Sequence, residues 1–437
     1  MDLDNNNATA AHRPPRPSHQ GSAGPSPASL PPERGGLAAA RPREPSEPLL
    51  ILNIVAQMAF GLLAMTICLP SMQEWDTLFG VDAASVQLTF SGYVVSYGAL
   101  QLLYGPLSDR HGRRRVLLVG LALGGAASLA AAFAGTLSAL VAARVMQGAG
   151  CAACMVVGRA LVQDHFDGPQ RTRVMAYIGM AMGVCPPLGT VIGGQLHALL
   201  GWQANFVLLA GLALALMVAA WRGLPAGRAP ATTATALEVH WLRAMGRAYA
   251  RLVREPSFLL YATIPATIAA AFYAFLGGAP FVLRSYGVGP ASVGWYMMIP
   301  PTFYIAGNYL ASRLTHRCGE QRMMAIGEVF SLAGIGLVLA LSGLATPLAF
   351  VLALVLLCIG HGLLMPPALA ATIGIVPALA GSAAALAGVL QQLTGALGGY
   401  AVGWVSHEGP FQVALVMLFF MLCVGAAQLL LWRRAPR

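Results

Sequence analysis

The chain has 437 residues, of which 57% are hydrophobic and only 10% charged, and its formal net charge is +10. A soluble globular chain of this length needs more charged surface, so the composition excludes a water-soluble protein and points to a bilayer. The charge is carried by arginines without interleaved aromatics, which argues against a nucleic-acid partner. With no lysine anywhere, there is no Walker-type phosphate loop for ATP.

Residues 1–48 are rich in Pro, Ser, Gly and Ala and cannot bury enough apolar area to offset their ordering entropy, so they read as a disordered cytoplasmic tail. The tail begins Met-Asp-Leu-Asp and its first apolar run comes late, unlike a cleavable signal peptide. Beyond Leu49 the chain breaks into apolar runs of about 20 residues, the length that crosses ~30 Å of hydrocarbon at 1.5 Å per residue. They fall near 50–70, 86–104, 116–134, 138–161, 174–197 and 204–221, then near 258–283, 291–312, 323–342, 347–370, 382–405 and 411–431. The expected fold is an all-α polytopic membrane protein of twelve spans. Two six-helix halves, 49–221 and 258–432, flank a 222–257 connector, and 433–437 form a short tail.

The arginines test this count. With the N-terminus inside, Arg110 to Arg115, Arg171, Arg173, Arg222 to Arg254, Arg313 to Arg322 and Arg433 to Arg437 all fall in inner segments. The outer loops carry Glu74, Asp76, Asp82, Glu408 and a single arginine, Arg284. A shift of one span would scatter these charges over both faces, so the positive-inside rule supports both termini in the cytoplasm. In the connector, Arg243, Arg247, Arg251 and Arg254 recur at helical spacing beside Trp241, Leu242, Tyr249 and Leu252, the pattern of an amphipathic helix on the inner surface. The halves also echo each other. Gly112-x-x-Arg115 and Gly120 recur as Gly319-x-x-Arg322 and Gly327, Gly193-Gly194 as Gly398-Gly399, and Pro70 as Pro280. Duplicated halves with a midplane site are the usual plan of a rocking transporter.

Between spans 2 and 3 lies Gly105-Pro-Leu-Ser-Asp-Arg-His-Gly-Arg-Arg-Arg-Val-Leu117. Gly105 and Gly112 permit tight turns, and Asp109 among arginines such as Arg110 and Arg113 can bind guanidinium groups or helix ends, so the stretch reads as a latch. Span 4 opens with Arg144-Val-Met-Gln147-Gly148. An arginine inside an apolar run is costly to bury, and two readings stand: an anchor for substrate or a proton network, and a side chain snorkelling to the outer surface. In span 5, Pro186 and Pro187 remove backbone donors while Gly189, Gly193 and Gly194 admit a neighbouring helix, the makings of a pivot or of a static bend.

Within the spans, the side chains able to exchange a proton are Glu328 and His361. Glu328, within two turns of the cytoplasmic end, reads as a coupling acid or as a side chain reaching the interface. His361, between glycines, reads as a proton carrier or as a histidine satisfied by a backbone carbonyl. A largely apolar substrate cavity with a few orienting groups is expected among Asn53, Gln57, Thr66, Tyr93 and Tyr97, with Phe272, Tyr273, Gln391 and Gln392 from the second half. Cys151-x-x-Cys154 sits in a span without a nearby histidine or second pair and reads as packing; no metal and no cofactor is expected.

The Gly105–Leu117 stretch fills every fixed position of G-x-L-(S/A)-D-R-x-G-R-(R/K), and in this the chain resembles the major facilitator superfamily. With Arg144-x-x-Gln147-Gly148 and part of the span 5 pattern over Gly183–Gly194, it is similar to the twelve-span drug:proton antiporters. Arg159-Ala-Leu-Val-Gln-Asp164 and Gly201-Trp202-Gln203-x-x-Phe206 look most like the Bcr/CflA subgroup. The resemblance, carried by residues 49–215, implies the major facilitator fold, a monomer in the bacterial inner membrane, and export of phenicol- or bicyclomycin-like small molecules in exchange for protons. It also implies that Asp109 latches an inward gate with Arg110, Arg113 and Arg159, joined by Asp164.

Two departures stand out. Thr66 occupies the place of the acid that the subgroup carries in span 1, and Thr190 stands where the span 5 pattern has its second proline. The first puts ordinary proton coupling in question and keeps open a transporter of a metabolite (nucleoside, sugar or amino acid) or a transporter-fold sensor. No H-E-x-x-H and no paired acids within spans suggest an enzyme.

Overall fold

The computed structural model describes residues 47–224, 238–376, 379–406 and 408–434. All but the last two residues of the 1–48 tail lie outside the described residues, as do 225–237 of the connector and 435–437. In hydrocarbon every backbone N–H and C=O must be satisfied by the chain itself, and a helix does so from within its own segment. Among the described residues there is accordingly no strand.

The first half comprises α1 (Glu47–Thr66), α2 (Met72–Phe79), α3 (Ala83–His111), α4 (Arg113–Ala132), α5 (Leu137–His165), α6 (Gly168–Leu200) and α7 (Gln203–Gly223). After α8 (Glu238–Arg254), the second half comprises α9 (Pro256–Ser285), α10 (Pro290–Cys318), α11 (Glu320–Leu341), α12 (Pro347–Gly374), α13 (Ala380–Val402) and α14 (Pro410–Arg434). Nine helical segments among the described residues are long and apolar enough to cross a membrane, α1 being counted with α2 as one. The helices α3, α10 and α13 have 29, 29 and 23 residues and are more polar. Large apolar side chains such as Leu103, Val119, Trp221 and Phe419 lie exposed on the flanks, as a lipid-facing surface requires.

The connections differ in detail from the sequence reading. Gly105 is not in a turn: α3 runs on through Pro106 to His111, and the reversal is made at Gly112 alone, at φ 89°. Gly319 does the same between α10 and α11 at φ 81°, a backbone region that residues with a Cβ avoid. The loop expected after span 1 is a 3-10 turn, Leu69–Ser71, followed by α2.

The sequence repeats become the same contact in each half. Gly120 is the eighth residue of α4 and Gly150 the fourteenth of α5; Gly327 and Gly360 hold those places in α11 and α12. A Cβ at Gly150 would fall on the backbone of Gly120 and Gly124, and one at Gly360 on the backbone of Gly327 and Ser331. Bare backbone lets each helix pair pack at a distance no other residue allows. Across the halves, α3 packs on α13 and α6 on α10. Helix α8 sets Leu252 into a small apolar cluster with Phe258 and Ala383, leaving Arg247, Arg251 and Arg254 exposed.

Arg144 ties the first half together. It is fully buried and so does not snorkel to the surface. Its Nη1 donates to the Ala64 carbonyl at 2.8 Å and to Gln147 Oε1 at 2.5 Å, and its Nε donates to the Thr89 carbonyl at 3.3 Å. Ala64 lies in the last turn of α1, where carbonyls lack intrahelical donors and the helix dipole is negative. The Tyr93 ring lies 4.4 Å beneath the guanidinium, and Gln147 passes the network on to Ser128 at 2.6 Å.

Arg144→Ala is expected to cost about 3 kcal/mol, since it strips charged donors from buried acceptors. A lowered Tm of the purified protein would show this, and an unchanged Tm would remove the staple. Gly360→Leu is expected to separate α11 from α12 and abolish the folded peak in size-exclusion chromatography, whereas Gly336→Leu, where no neighbour stands within 4 Å, is expected to be tolerated.

Candidate functional site

Between the halves lies a cavity of about 750 Å³, within the range of small-molecule sites. The first half contributes Leu62 and Met65 from α1 and Met180, Met182 and Pro186 from α6. The second contributes Tyr273, Tyr304, Asn308, Ser312, His361 and Gln391. Phe272 also lines it, its ring stacked on Tyr304 at 6.4 Å. Among the described residues no Asp, Glu or Arg lines this cavity.

At the end of the bundle that holds Asp76, bonds between the halves close the way in. Arg284 at the end of α9 grips Asp76 of α2 with two parallel hydrogen bonds of 2.7 and 2.6 Å, and also reaches the Gln73 carbonyl. Gln87 Nε2 donates to the Gly277 carbonyl at 2.7 Å, and Gln195 Nε2 to the Ala291 carbonyl at 2.9 Å. The Thr190 hydroxyl reaches the Gly294 carbonyl at 3.3 Å, and Phe90 meets the Tyr273 ring edge-on. Gly194 brings α6 onto the Pro290 carbonyl of α10. Towards the opposite, arginine-rich end, the cavity lining continues to Gly179 and Ser312.

The expected cavity residues separate into two groups. Tyr273 and Gln391 line the cavity. Gln57, Thr66, Tyr93 and Tyr97 do not. Gln57 donates to the Leu216 carbonyl and so holds α1 on α7, as Asn53 does through the Ala219 carbonyl. Thr66 bonds back to Leu62 and packs against Gly189. Tyr93 donates to the Gly61 carbonyl at 2.6 Å and stacks on Tyr97. Gln392 accepts from the Tyr273 hydroxyl at 3.0 Å.

Of the two expected proton carriers, Glu328 packs inside the protein. It is buried between α11 and α14, where Gln428 donates to Oε2 at 2.6 Å and Gly425 faces Oε1. His361 is not satisfied by a carbonyl: both ring nitrogens lack a partner, and the ring sits in the cavity wall. Of the expected pivot, Pro186 lines the cavity, Pro187 leaves α6 unbroken and its carbonyl accepts from the Thr190 hydroxyl at 2.8 Å, and Gly193 packs on the end of α1 at Ile67.

In the expected latch, Arg113 opens α4 and pairs with Asp109 at 2.5 Å and with Asp164 at 3.0 Å, and donates to Ser108 at 2.7 Å. The cluster joins α3, α4 and α5 of the first half. Asp109 is 62% exposed, so solvent screens the pair strongly. Arg110 and Arg159 lie exposed at the same end. Reading from sequence missed Asp76, Gln87, Gln195 and Asn308. One signal was available: Arg284 is the single arginine placed against the positive-inside trend, and such a charge calls for a partner.

With this geometry in view, the chain can be set beside known proteins. The family model of the Major Facilitator Superfamily matches residues 49–282 and 266–437. Multidrug resistance protein D of Escherichia coli (strain K12) is 29% identical over 382 residues, covering 86% of this chain and 94% of that protein. A chloramphenicol resistance protein of Pseudomonas aeruginosa is 30% identical over 295 residues, covering 65% of this chain and 67% of that protein. The crystal structure of a D-xylose–proton symporter superposes with a TM-score of 0.71 at 15% identity, covering 88% of this chain and 98% of its own, a likeness of fold alone. Two family matches that together run nearly the length of the membrane part, on a bundle whose halves repeat each other's contacts, mean that the chain belongs to the Major Facilitator Superfamily.

Proposed function

We propose that this transporter exports small lipophilic compounds across the bacterial inner membrane by alternating access, in exchange for protons, and that the conformation described faces the cytoplasm. The observation that carries this reading is an apolar cavity between the halves, sealed at the Asp76–Arg284 end and extending towards the arginine-rich end. The positive-inside rule assigns the arginine-rich end, with both termini, to the cytoplasm. On this reading α3, α10 and α13 join the apolar helices as three further spans, and residues 49–221 and 258–432 rock about the fixed site as a monomer. A drug-resistance role is supported by relatives that carry the names multidrug resistance protein and chloramphenicol resistance protein.

The outer seal would open and the inner end close around Arg113, with Asp109, Arg110 and Arg159 as latch and the Pro186–Gly194 stretch as pivot. For the proton, His361 faces the cavity and Glu328 lies outside it, which favours His361 as the coupling group.

In everted membrane vesicles, chloramphenicol uptake is expected to collapse when a protonophore is added. Uptake that survives the collapse of the gradient would refute the exchange. His361→Ala is expected to abolish gradient-driven uptake and Glu328→Gln to leave it within about twofold; the reverse pattern would move coupling to Glu328. Because the Asp76–Arg284 pair is partly exposed, Arg284→Ala is expected to shift the state balance by about 1 kcal/mol, roughly fivefold. With the seven native cysteines replaced and Met65→Cys added, labelling from outside by a membrane-impermeant maleimide would rise by that factor; unchanged labelling would show that the pair does not hold the seal.

A further inference from the structure

The walls of the cavity are chemically unequal. Leu62, Met65, Met180, Met182 and Pro186 give the first half's wall no hydrogen-bonding side chain. Flexible, polarisable methionines adapt to ligands of varied shape. Every polar side chain of the lining comes from the second half, and among them His361 differs in kind. It is 1% exposed, and neither Nδ1 nor Nε2 has a partner. Other buried polar side chains, such as Gln57, Gln87 and Arg144, donate to carbonyls of other helices. Of the buried side chains with unpartnered polar atoms among the described residues, His361 is the one that lines this cavity. A ligand that seats a hydroxyl or amide against this wall would supply the missing partner and relieve the cost of burying it.

A charged ligand finds nothing equivalent. The Glu328 carboxylate is turned into the α11–α14 contact and held by Gln428, and the Arg144 guanidinium is held by α1 and α3. A fixed cation entering the cavity would lose water and meet no counter-charge. The aromatic rings do not replace one, for Phe272 and Tyr304 stack on each other at 28° instead of surrounding an open centre, Tyr273 is engaged with Phe90 and Gln392, and the Tyr309 ring already lies under the Arg313 guanidinium.

We propose that the cavity selects uncharged lipophilic molecules bearing hydroxyl or amide groups, and that it orients them with the polar end on the second half at His361 and the apolar body on the methionine wall of the first. This rests on the transport reading only in calling the ligand a substrate.

The test is equilibrium binding to purified full-length protein in detergent, with no gradient. Radiolabelled chloramphenicol, an uncharged amide and diol, is compared with tetraphenylphosphonium, a lipophilic fixed cation. The wild type is expected to bind chloramphenicol saturably and tetraphenylphosphonium at least tenfold more weakly. His361→Ala is expected to weaken chloramphenicol binding about tenfold, while His361→Gln, which keeps a donor and an acceptor, recovers most of it. Leu62→Glu, which puts an acid into the bare wall, is expected to raise tetraphenylphosphonium affinity several-fold. Equal binding of both probes by the wild type, full chloramphenicol affinity in His361→Ala, or no saturable chloramphenicol binding would each overturn the inference. A protein that binds chloramphenicol in this way yet fails to move it in vesicles would refute export and leave the inference standing.

Discussion

In hydrocarbon no water stands ready to satisfy a polar group, and this constraint orders the whole molecule. It makes each crossing segment helical, and it then governs the polar side chains that remain. Asn53, Gln57, Gln87, Gln195 and Arg144 all end on a main-chain carbonyl of another helix. These bonds fix which helix lies beside which, a role that apolar contact fills poorly in a membrane because lipid tails are as apolar as leucine. Arg144 is the extreme case. A guanidinium without a carboxylate partner is stabilised by the carbonyl end of α1 and by an aromatic face, and in return it anchors α1 at the turn that leads to Pro70.

The same constraint gives meaning to the exceptions. A polar atom left unpartnered inside a protein has a cost, and where it borders an internal cavity a ligand can remove that cost. His361 holds that position. Glu328, chemically the more obvious proton carrier, is instead occupied by Gln428 outside the cavity. Duplication and asymmetry thus coexist. The halves share their glycine crossings and their glycine turns at Gly112 and Gly319, which are matters of backbone geometry. They differ in the cavity, where the hydrogen-bonding side chains of the lining all come from the second half.

The seal at the Asp76 end follows from close backbone approach as much as from charge. Gly194 and Gly294 bring α6 and α10 together so tightly that a side-chain hydroxyl, Thr190, can bridge to a carbonyl of the opposite half. Thr190 is the residue that departs from the family's span 5 pattern, and the hydroxyl puts that departure into the contact between the halves.

What the sequence determined alone was the membrane class, the helical fold and the superfamily. Hydrocarbon imposes length and composition on every run, and the Gly105–Leu117 pattern depends on identities at fixed spacing, both of which are linear information. The sequence also held the duplication, because glycines at equal offsets survive as a pattern. Only the tertiary structure decided which polar residues face the cavity and which brace helices. Gln57 and Gln391 look alike in sequence, but Gln57 meets a carbonyl 159 positions away while Gln391 lines the cavity. Side-chain direction on a helix that is apolar all round leaves no periodic trace. For that reason Arg144 and His361 each kept two readings in sequence, and only the structure places Arg144 on carbonyls of neighbouring helices and His361 in the cavity wall with both ring nitrogens unpartnered.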